Sequence, residues 1–346
     1  MLEKTLFRID LPYRDPMEVR AFLFGTTSDG RLLGESAVDP DVDPDDFERS
    51  IAFVGAMRGD EVQQTYICSR LVHKMRKIEA DGEMEPGRMV MIVPCVNPAS
   101  MDMGRRFWVG DGTDINRMSP GYDRGETTQR IAAGIFTGVQ GFKMGVHFSS
   151  FYLRGDFLDH VRVMMGPGED TDQGELFGLP YVLHHVPGSF DTTTLHYNWR
   201  LWDTEAYSLY THVTEHIDDG AAATMVRACL RFLDARGIIH RPCHGGMRST
   251  TFDESCLVRV QVSRGGIFHP LVKLGDLVSS GQEMAQITDP YTGEVIETIV
   301  APSGGLVFFA CRQPLVIERT LAFQIVPRDV DATSDSRRGN FLDPEA

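Results

Sequence analysis

This sequence lacks an excess of basic residues, paired cysteines and long apolar runs. Its 346 residues carry 34 Lys and Arg against 49 Asp and Glu, for a formal net charge of −15. Because nucleic acids and anionic membrane surfaces bind mainly to clustered Lys and Arg, this balance argues against both partners. It does not exclude a small anionic ligand, since a basic pocket can lie inside an acidic protein.

The absence of targeting and membrane-spanning segments bears on where the protein works. No apolar run approaches the roughly 20 residues that cross a bilayer, and the first residues contain no signal-peptide core. The six cysteines are scattered and form no CxxC pair, which is typical of reduced, mostly buried thiols in a cytosolic protein. We therefore predict a cytoplasmic protein.

The pattern of apolar and polar residues differs between two parts of the chain. Up to about residue 245, apolar runs of strand length such as "SIAFVGAM" and "RMVMIVPCV" alternate with amphipathic stretches such as "EVQQTYICSRLVHKMRKIE". Continuous apolar runs are typical of strands that are covered on both faces. The alternation predicts an α/β fold with a mainly parallel, helix-covered mixed sheet.

From about residue 250 the pattern changes to short alternating strands that are separated by Gly, Asp and Pro turns. This pattern predicts a small all-β domain, and "LVKLGDLVSSGQEMAQI" resembles a barrel-sandwich. We predict an α/β domain over 1–248, a β domain over 249–328 and a polar tail over 329–346. We expect the β domain to narrow a pocket and to pack against a partner subunit, which would make the protein a homo-oligomer.

Polar clusters follow the ends of the apolar runs in the first part. They are Arg58-Gly59-Asp60-Glu61, then Asn97 with Arg105 and Arg106, then Asp114 with Asn116 and Arg117, and finally His147. Each has an ordinary structural interpretation, such as a surface charge or a satisfied core histidine. Together they predict one pocket that binds a small carboxylate through arginine, with Glu and His able to hold a metal.

The order of these motifs carries a family resemblance. "RGDE", "NPASMDMGRR", "DINRMSPG" and "GVH" occur in the order found in the zinc-dependent succinylglutamate desuccinylase/aspartoacylase family, a branch of the carboxypeptidase A-like fold. The resemblance implies the zinc-carboxypeptidase type of sheet, a zinc cofactor and a small N-acyl amino acid or related carboxylate as substrate. It also implies that zinc polarises the scissile carbonyl and activates water.

This chain departs from the family at the metal. Glu61 and His147 match two zinc ligands, but Arg58 occupies the position of the third, a histidine. A guanidinium stays protonated and offers no lone pair to a metal. Catalytic zinc normally has three protein ligands, so two fall short.

A second departure concerns the catalytic carboxylate. By the same resemblance, Tyr210 occupies the position of the family's glutamate, and tyrosine is a poor base at neutral pH. Glu215 is an alternative if the strand is longer, and His184, His185 or His212 are further candidates for a replacement ligand or base. In addition, Gly145 replaces the aspartate of the family's Asp-Leu-His motif.

Two hypotheses therefore stand. In the first, the protein is a metal-dependent hydrolase in which Arg105 or Arg106, with Asn116 and Arg117, holds the substrate carboxylate. In the second, it is a non-catalytic relative that binds a small carboxylate without zinc. Arg58 would then pair with Glu61 or extend the anion site.

Overall fold

A nine-stranded mixed sheet forms the larger part of the protein. The structure, a computed structural model, describes residues 1–34, 44–166 and 173–328, so the predicted polar tail lies outside the described residues. Up to residue 253, the described strands are β1 (Leu2–Leu11), β2 (Arg14–Gly25), β3 (Glu48–Ala56), β4 (Arg88–Cys95), β5 (Met144–Phe148), β6 (Gly155–Phe157), β7 (His160–Met164), β8 (Tyr181–His185), β9 (Glu205–Tyr210) and β10 (Thr250–Asp253). All except β6 belong to this sheet, in the order β1-β2-β4-β3-β5-β9-β7-β8-β10.

Helices cover both faces of the sheet, as β3 illustrates. The described helices are α1 (Val62–Ala80), α2 (Pro98–Asp102), α3 (Thr127–Val139), α4 (Leu195–Leu201) and α5 (Asp219–Ala235). Ile51 and Phe53 of β3 pack in one core cluster with α1 and α5, whereas Ala52 and Val54 pack in another with α3 and α4. A strand between two helical layers needs an apolar residue at every position, which explains the continuous run "SIAFVGAM". The predicted helix-covered sheet is confirmed.

The central strands bring their polar ends together. β3, β5 and β9 run parallel, so their carboxyl ends lie at one edge of the sheet. In this register His147 of β5 lies beside Ser208 of β9. β7 runs antiparallel to β9 and places Arg162 on the other side of Ser208. Loops and strand ends that are far apart in sequence therefore converge on one region.

The second part of the chain is all-β, as predicted. Its strands are β11 (Val258–Gln261), β12 (Gly266–Pro270), β13 (Leu277–Val278), β14 (Glu283–Thr288), β15 (Val295–Val300), β16 (Gly305–Cys311), β17 (Leu315–Val316) and β18 (Leu321–Pro327). They form the sheets β11-β18-β16-β13 and β15-β14-β12-β17 around an apolar cluster that includes Phe308 and Phe323.

The two parts are more closely joined than the expected division at residues 248 and 249 implies. β10 lies beyond residue 248 but pairs with β8 in the large sheet. β6 lies within the first part but pairs with β16 of the second. A sequence pattern that predicts a strand does not reveal which other strand it pairs with. The division into two domains therefore stays a prediction.

Candidate functional site

The loop after β3 buries an arginine in a network of carboxylates. Arg58 is 1% exposed, and its Nη2 and Nε donate to the two carboxylate oxygens of Asp114 at 2.7 and 3.2 Å. Its Nη1 donates to the backbone oxygen of Ser150 at 3.0 Å. Burial acts to lower the pKa of Arg58, but Asp114 and Glu61 outweigh it and raise that pKa. The guanidinium is therefore charged and has its donors occupied.

Glycine is required at the next position of this loop. A Cβ at Gly59 would lie 2.3 Å from the backbone oxygen of Arg105 and 2.4 Å from the carbonyl carbon of Ser100. The loop after β3 packs directly on the loop that carries the arginine pair, so the "RGDE" motif has a steric reason for its second residue.

Glu61 has its carboxylate fully engaged. Its Oε2 accepts from the backbone N–H groups of Met57 and Arg58, both at 2.9 Å. Its Oε1 accepts from the Ser150 hydroxyl and lies 3.5 Å from Arg58 Nη1. Burial raises the pKa of Glu61, against the opposing effect of Arg58 and Ser150. A carboxylate offers about four lone-pair positions, and here each faces a donor.

His147 is the other residue that the family resemblance assigns to zinc. It is buried, and its Nδ1 shares a hydrogen bond of 2.9 Å with Ser149 Oγ. Its Nε2 has no hydrogen-bond partner in the protein. Burial first, and then the charge of Arg58, lower the pKa of His147 to about 3, so the imidazole is neutral at physiological pH.

These residues do not fit a catalytic zinc. His147 offers one free nitrogen, Glu61 is saturated with donors, and the third position holds a cation that cannot ligate. Across the described ranges, no group of three or more His, Cys, Asp or Glu side chains is arranged to hold a metal ion.

The structure separates the two arginines that the sequence left equivalent. Arg105 is exposed. Arg106 is buried and donates to Asp60 at 2.8 Å and to the backbone oxygen of Phe151. Neither residue lines the cavity that contains Asn116, Arg117 and His147, so their assignment as substrate anchors stays a prediction.

A cavity of about 770 Å³ opens beside this network. Arg58, Asn116, Arg117 and His147 all line it, so three of the segments that the sequence placed in one pocket do meet. Asn116 is buried with its Oδ1 lacking a partner, and Arg117 donates through Nη1 to the backbone oxygen of Phe190. Arg259 and Gln324 of the β part also line the cavity, as expected of a rim.

A second wall of the cavity was largely missed by the sequence analysis, which named only His185 from it. It is formed by Arg162 of β7, His185 at the end of β8, His196 of α4 and Glu254. His185 hydrogen-bonds with Glu254 through Nδ1 and with Asp191 at 2.9 Å through Nε2. The arginine in "HVRVMM" was a further sequence signal for this wall, because an ionisable residue inside a buried strand is rare without a reason.

His185 and Glu254 are both held in their charged forms. Burial disfavours the imidazolium, but the hydrogen bonds to Asp191 and Glu254 raise the pKa of His185 to about 9. Burial likewise disfavours the carboxylate of Glu254, but Arg162 and His185 lower its pKa to about 2. This wall therefore carries fixed charges of both signs.

His196 is neutral, in contrast. Its Nδ1 shares a hydrogen bond of 2.6 Å with Ser208 Oγ, and its Nε2 has no partner in the protein. Burial, followed by the charge of Arg200, lowers the pKa of His196 to about 3.

Tyr210 lines the cavity at the end of β9, where the family resemblance places a glutamate. Its ring stacks on His160 with centroids 4.7 Å apart, and the guanidinium carbon of Arg162 lies 4.8 Å from the ring centroid. The Tyr210 ring therefore serves as a packing surface for His160 and Arg162.

The third departure from the family motif has a packing partner too. A Cβ at Gly145 would lie 2.6 Å from the indole of Trp199 on α4. Trp199 thus occupies the space where a side chain at position 145 would begin.

The remaining candidates for a replacement base lie in different surroundings. Glu215 is exposed and pairs with Arg154 at 3.2 Å, and His212 pairs with Asp159 at 2.8 Å. Neither lines the cavity, nor does His184. Of the four candidates, His185 alone does.

Part of the chain matches a known family. Residues 48–144 match the model of the succinylglutamate desuccinylase/aspartoacylase catalytic domain. The resemblance to this family is therefore confirmed over a segment that contains Arg58, Glu61, Asn116 and Arg117, whereas the "GVH" motif follows the matched residues.

The individual proteins that this chain resembles are distant in sequence. An N-alpha-acetyl-L-2,4-diaminobutyric acid deacetylase from Halomonas elongata is 24% identical over 256 residues, which is 68% of this chain and 69% of the relative. A solved succinylglutamate desuccinylase from Silicibacter sp. TM1040 superposes with a TM-score of 0.75 at 16% identity, over 92% of this chain and 91% of that one. The product-bound ectoine utilization protein EutE (DoeB) from Ruegeria pomeroyi gives 0.71 at 17% identity, over 90% and 89%. The structural likenesses establish the shared fold.

The helices are unsuited to a bilayer. Each helix in the described part of the chain is too short or too polar to cross a membrane.

Proposed function

We propose that the chain binds a small N-acyl amino acid, or a related small carboxylate, and does not cleave it with zinc. The observation that carries the proposal is the buried ion pair between Arg58 and Asp114, at 2.7 Å. It stands where the family resemblance places a zinc-ligating histidine. A cation that is already paired there repels a second cation and offers it no lone pair.

Asn116 and Arg117 supply what such a ligand needs. The buried Asn116 Oδ1 is an unpaired acceptor, which suits the N–H of an acylated amine, because a buried acceptor without a donor is costly. Arg117 lies on the same cavity wall and presents a guanidinium, the group best matched to a carboxylate. The N-acyl ligand class is also supported by the Halomonas elongata relative, whose name specifies an acetylated amino acid.

Calorimetric titration with N-acetyl amino acids tests the binding. The Arg117→Ala variant is expected to weaken binding about 10- to 100-fold, because a hydrogen-bonded charged partner contributes roughly 1.5–3 kcal/mol. Arg124→Ala, an exposed arginine in the same segment, is the matched control and should bind normally. Unchanged affinity in Arg117→Ala would remove Arg117 from the site.

Metal content tests the other half of the proposal. Wild-type protein dialysed against zinc is expected to hold less than stoichiometric metal by mass spectrometry, whereas Arg58→His creates a third ligand and gains zinc. Arg105→His changes an exposed neighbour and should gain none. Stoichiometric zinc in the wild-type protein contradicts the proposal.

Hydrolysis of the ligand's amide bond is the second candidate function. It is favoured by the deacetylase and desuccinylase names of the relatives. The cavity imidazoles of His147 and His196 are weak bases for this task, because each has its pKa lowered to about 3. Release of free amine from a panel of N-acyl amino acids, at a rate proportional to enzyme concentration, would establish this function instead.

A further inference from the structure

Two buried histidines of the cavity each have one ring nitrogen that lacks a partner. His147 and His196 are both 2% exposed, and both line the cavity. In each ring Nδ1 shares a hydrogen bond with a serine hydroxyl, at 2.9 Å with Ser149 and at 2.6 Å with Ser208. Neither Nε2 has a hydrogen-bond partner in the protein. Buried polar atoms without a partner are rare in native proteins, so these two nitrogens point to a ligand.

The two rings belong to one part of the cavity. His147 on β5 is the cross-strand neighbour of Ser208 on β9, and Ser208 is the residue that contacts His196. Neighbouring strands lie about 4.8 Å apart, so this serine connects the two histidines. Trp199, three residues after His196 on α4, packs against Gly145 of β5. The sheet and a buried helix therefore set the positions of both rings.

The serine partners determine which ring nitrogen carries a hydrogen. A neutral imidazole has one N–H group and one nitrogen lone pair. If the hydrogen were on Nδ1, the hydroxyl of Ser149 or Ser208 would accept it, and the hydroxyl hydrogen would have no partner among the described residues. If the hydroxyl donates to Nδ1 instead, its hydrogen is used and the ring hydrogen is on Nε2. Both Nε2 atoms are then N–H donors, as they also are in a protonated ring.

His160 has the opposite arrangement. It is buried and its Nε2 lacks a partner too, but its Nδ1 lies 2.8 Å from the backbone oxygen of Leu158. A carbonyl oxygen can only accept, so Nδ1 donates and Nε2 of the neutral ring is an acceptor. His160 does not line the cavity. The chain therefore contains a buried histidine that serves as an internal reference for the other two.

We infer that His147 and His196 bind the acyl oxygen of the ligand through their two Nε2–H groups. The inference rests on the proposed binding of an N-acyl amino acid, and it assigns the residues that recognise the acyl group. A carbonyl oxygen has two lone pairs and accepts two hydrogen bonds. Because Asn116 Oδ1 is proposed to accept the N–H of the same amide, the donor and the acceptor of that amide both find partners. The two histidines are thus specificity-determining residues for an acyl oxygen.

Nitrogen NMR of the histidine rings tests the first step in the absence of a ligand. Protein labelled with 15N-histidine should show a protonated Nε2 and an unprotonated Nδ1 for His147 and His196, and the reverse for His160. The variants His147→Phe, His196→Phe and His160→Phe assign the signals, since each removes one ring. An unprotonated Nε2 in His147 or His196 would overturn the inference.

Two ligands that differ in one atom test the second step. N-acetylalanine and N-thioacetylalanine share the N–H and the carboxylate, but sulfur accepts hydrogen bonds more weakly than oxygen. Calorimetry on the wild-type protein should show a preference for N-acetylalanine of about 4- to 100-fold, because each of two hydrogen bonds contributes about 2- to 10-fold in affinity. His196→Phe removes one donor and should reduce this preference by about 2- to 10-fold. His160→Phe, the matched control, should keep the full preference.

The outcomes separate this inference from the proposed function. If wild-type protein binds neither compound, the proposed function fails and the inference fails with it. If it binds both equally, or if the preference is unchanged in His196→Phe, the acyl-oxygen contact is overturned while the N-acyl amino acid site stands. A preference caused only by the larger size of sulfur would give this result.

A variant that does not fold leaves two other measurements. His147→Phe removes the other donor and carries the same expectation as His196→Phe, and the nitrogen spectra of the wild-type protein decide the state of both Nε2 atoms. Protonated Nε2 atoms, together with a preference that falls in His196→Phe or His147→Phe and is kept in His160→Phe, establish the contact.

Discussion

Two buried arginines line one cavity, and they differ in the groups that their hydrogen-bond donors contact. Arg58 donates to Asp114 and Ser150, and the neighbouring Glu61 has all its acceptor positions filled. Arg162 is held by aromatic faces and a distant carboxylate, and two of its nitrogens have no partner. The first arrangement is complete without a ligand, and the second is not.

This difference separates a polar network that is complete from one that is not. At the position where the family resemblance places a zinc-ligating histidine, Arg58 forms an ion pair with Asp114. The unpaired buried donors of Arg162 lie instead on a part of the cavity that the family motifs do not mark. A saturated polar network indicates stability, whereas unsatisfied buried groups point to a ligand.

The largest effect on the free energy of unfolding is expected from breaking the hydrogen-bonded network around Arg58. Arg58→Ala leaves the carboxylates of Asp114 and Glu61 without their cation, and removing one partner of a buried ion pair costs about 3–5 kcal/mol. Urea denaturation should show this loss in the free energy of unfolding. Arg154→Ala, which breaks the exposed pair with Glu215, should cost no more than about 1 kcal/mol. A similarly small loss in Arg58→Ala would show that the network is not what stabilises the loop.

A smaller effect on the free energy of unfolding is expected from deprotonating His185 on the second wall of the cavity. His185 faces Asp191, Glu254 and Arg162, and the two carboxylates raise its pKa to about 9 against 6.5 when unfolded. Because folding raises this pKa, the stabilisation that protonated His185 contributes to the folded state is fully present below about pH 6.5. It is lost as the pH rises through about 9. That contribution is on the order of 2–3 kcal/mol.

Unfolding free energies at pH 6.5 and pH 9.5 measure this loss. The His185→Gln variant cannot titrate at this position, so its decline between the two pH values should be smaller than that of the wild-type protein by the same amount. An equal decline in both proteins would show that other groups cause it.

Much of the first wall could be predicted from sequence, because motifs place polar residues at strand ends and parallel strands bring those ends together. Asn116, Arg117 and His147 do line one cavity. The family resemblance also implied that a guanidinium occupies the position of a zinc ligand, and the sequence predicted that Arg58 pairs with Glu61 or extends the anion site. The shorter contact is to Asp114, 56 positions along the chain.

Apart from His185, the second wall could not be predicted, for a topological reason. Arg162 reaches the cavity because β7 runs antiparallel beside β9, and Glu254 because β10 joins the large sheet beyond the expected boundary. Strand order and direction depend on tertiary packing, which local patterns do not encode. The fit of Trp199 against Gly145 likewise joins residues from two separate elements.

The smallest effect is expected from substituting Glu215, which lies outside the cavity. Glu215 was a sequence-level alternative for the catalytic base, but its carboxylate is about half exposed and pairs with the equally exposed Arg154. Glu215→Gln should therefore change the free energy of unfolding by less than about 1 kcal/mol. It should also leave ligand affinity, and any release of amine from N-acyl amino acids, at wild-type levels. A loss of ligand affinity or of amine release, without a loss of stability, would mean that the segment after β9 rearranges to bring Glu215 to the ligand. The ligand would then contact Glu215 in addition to, or instead of, the wall formed by Arg162 and His185.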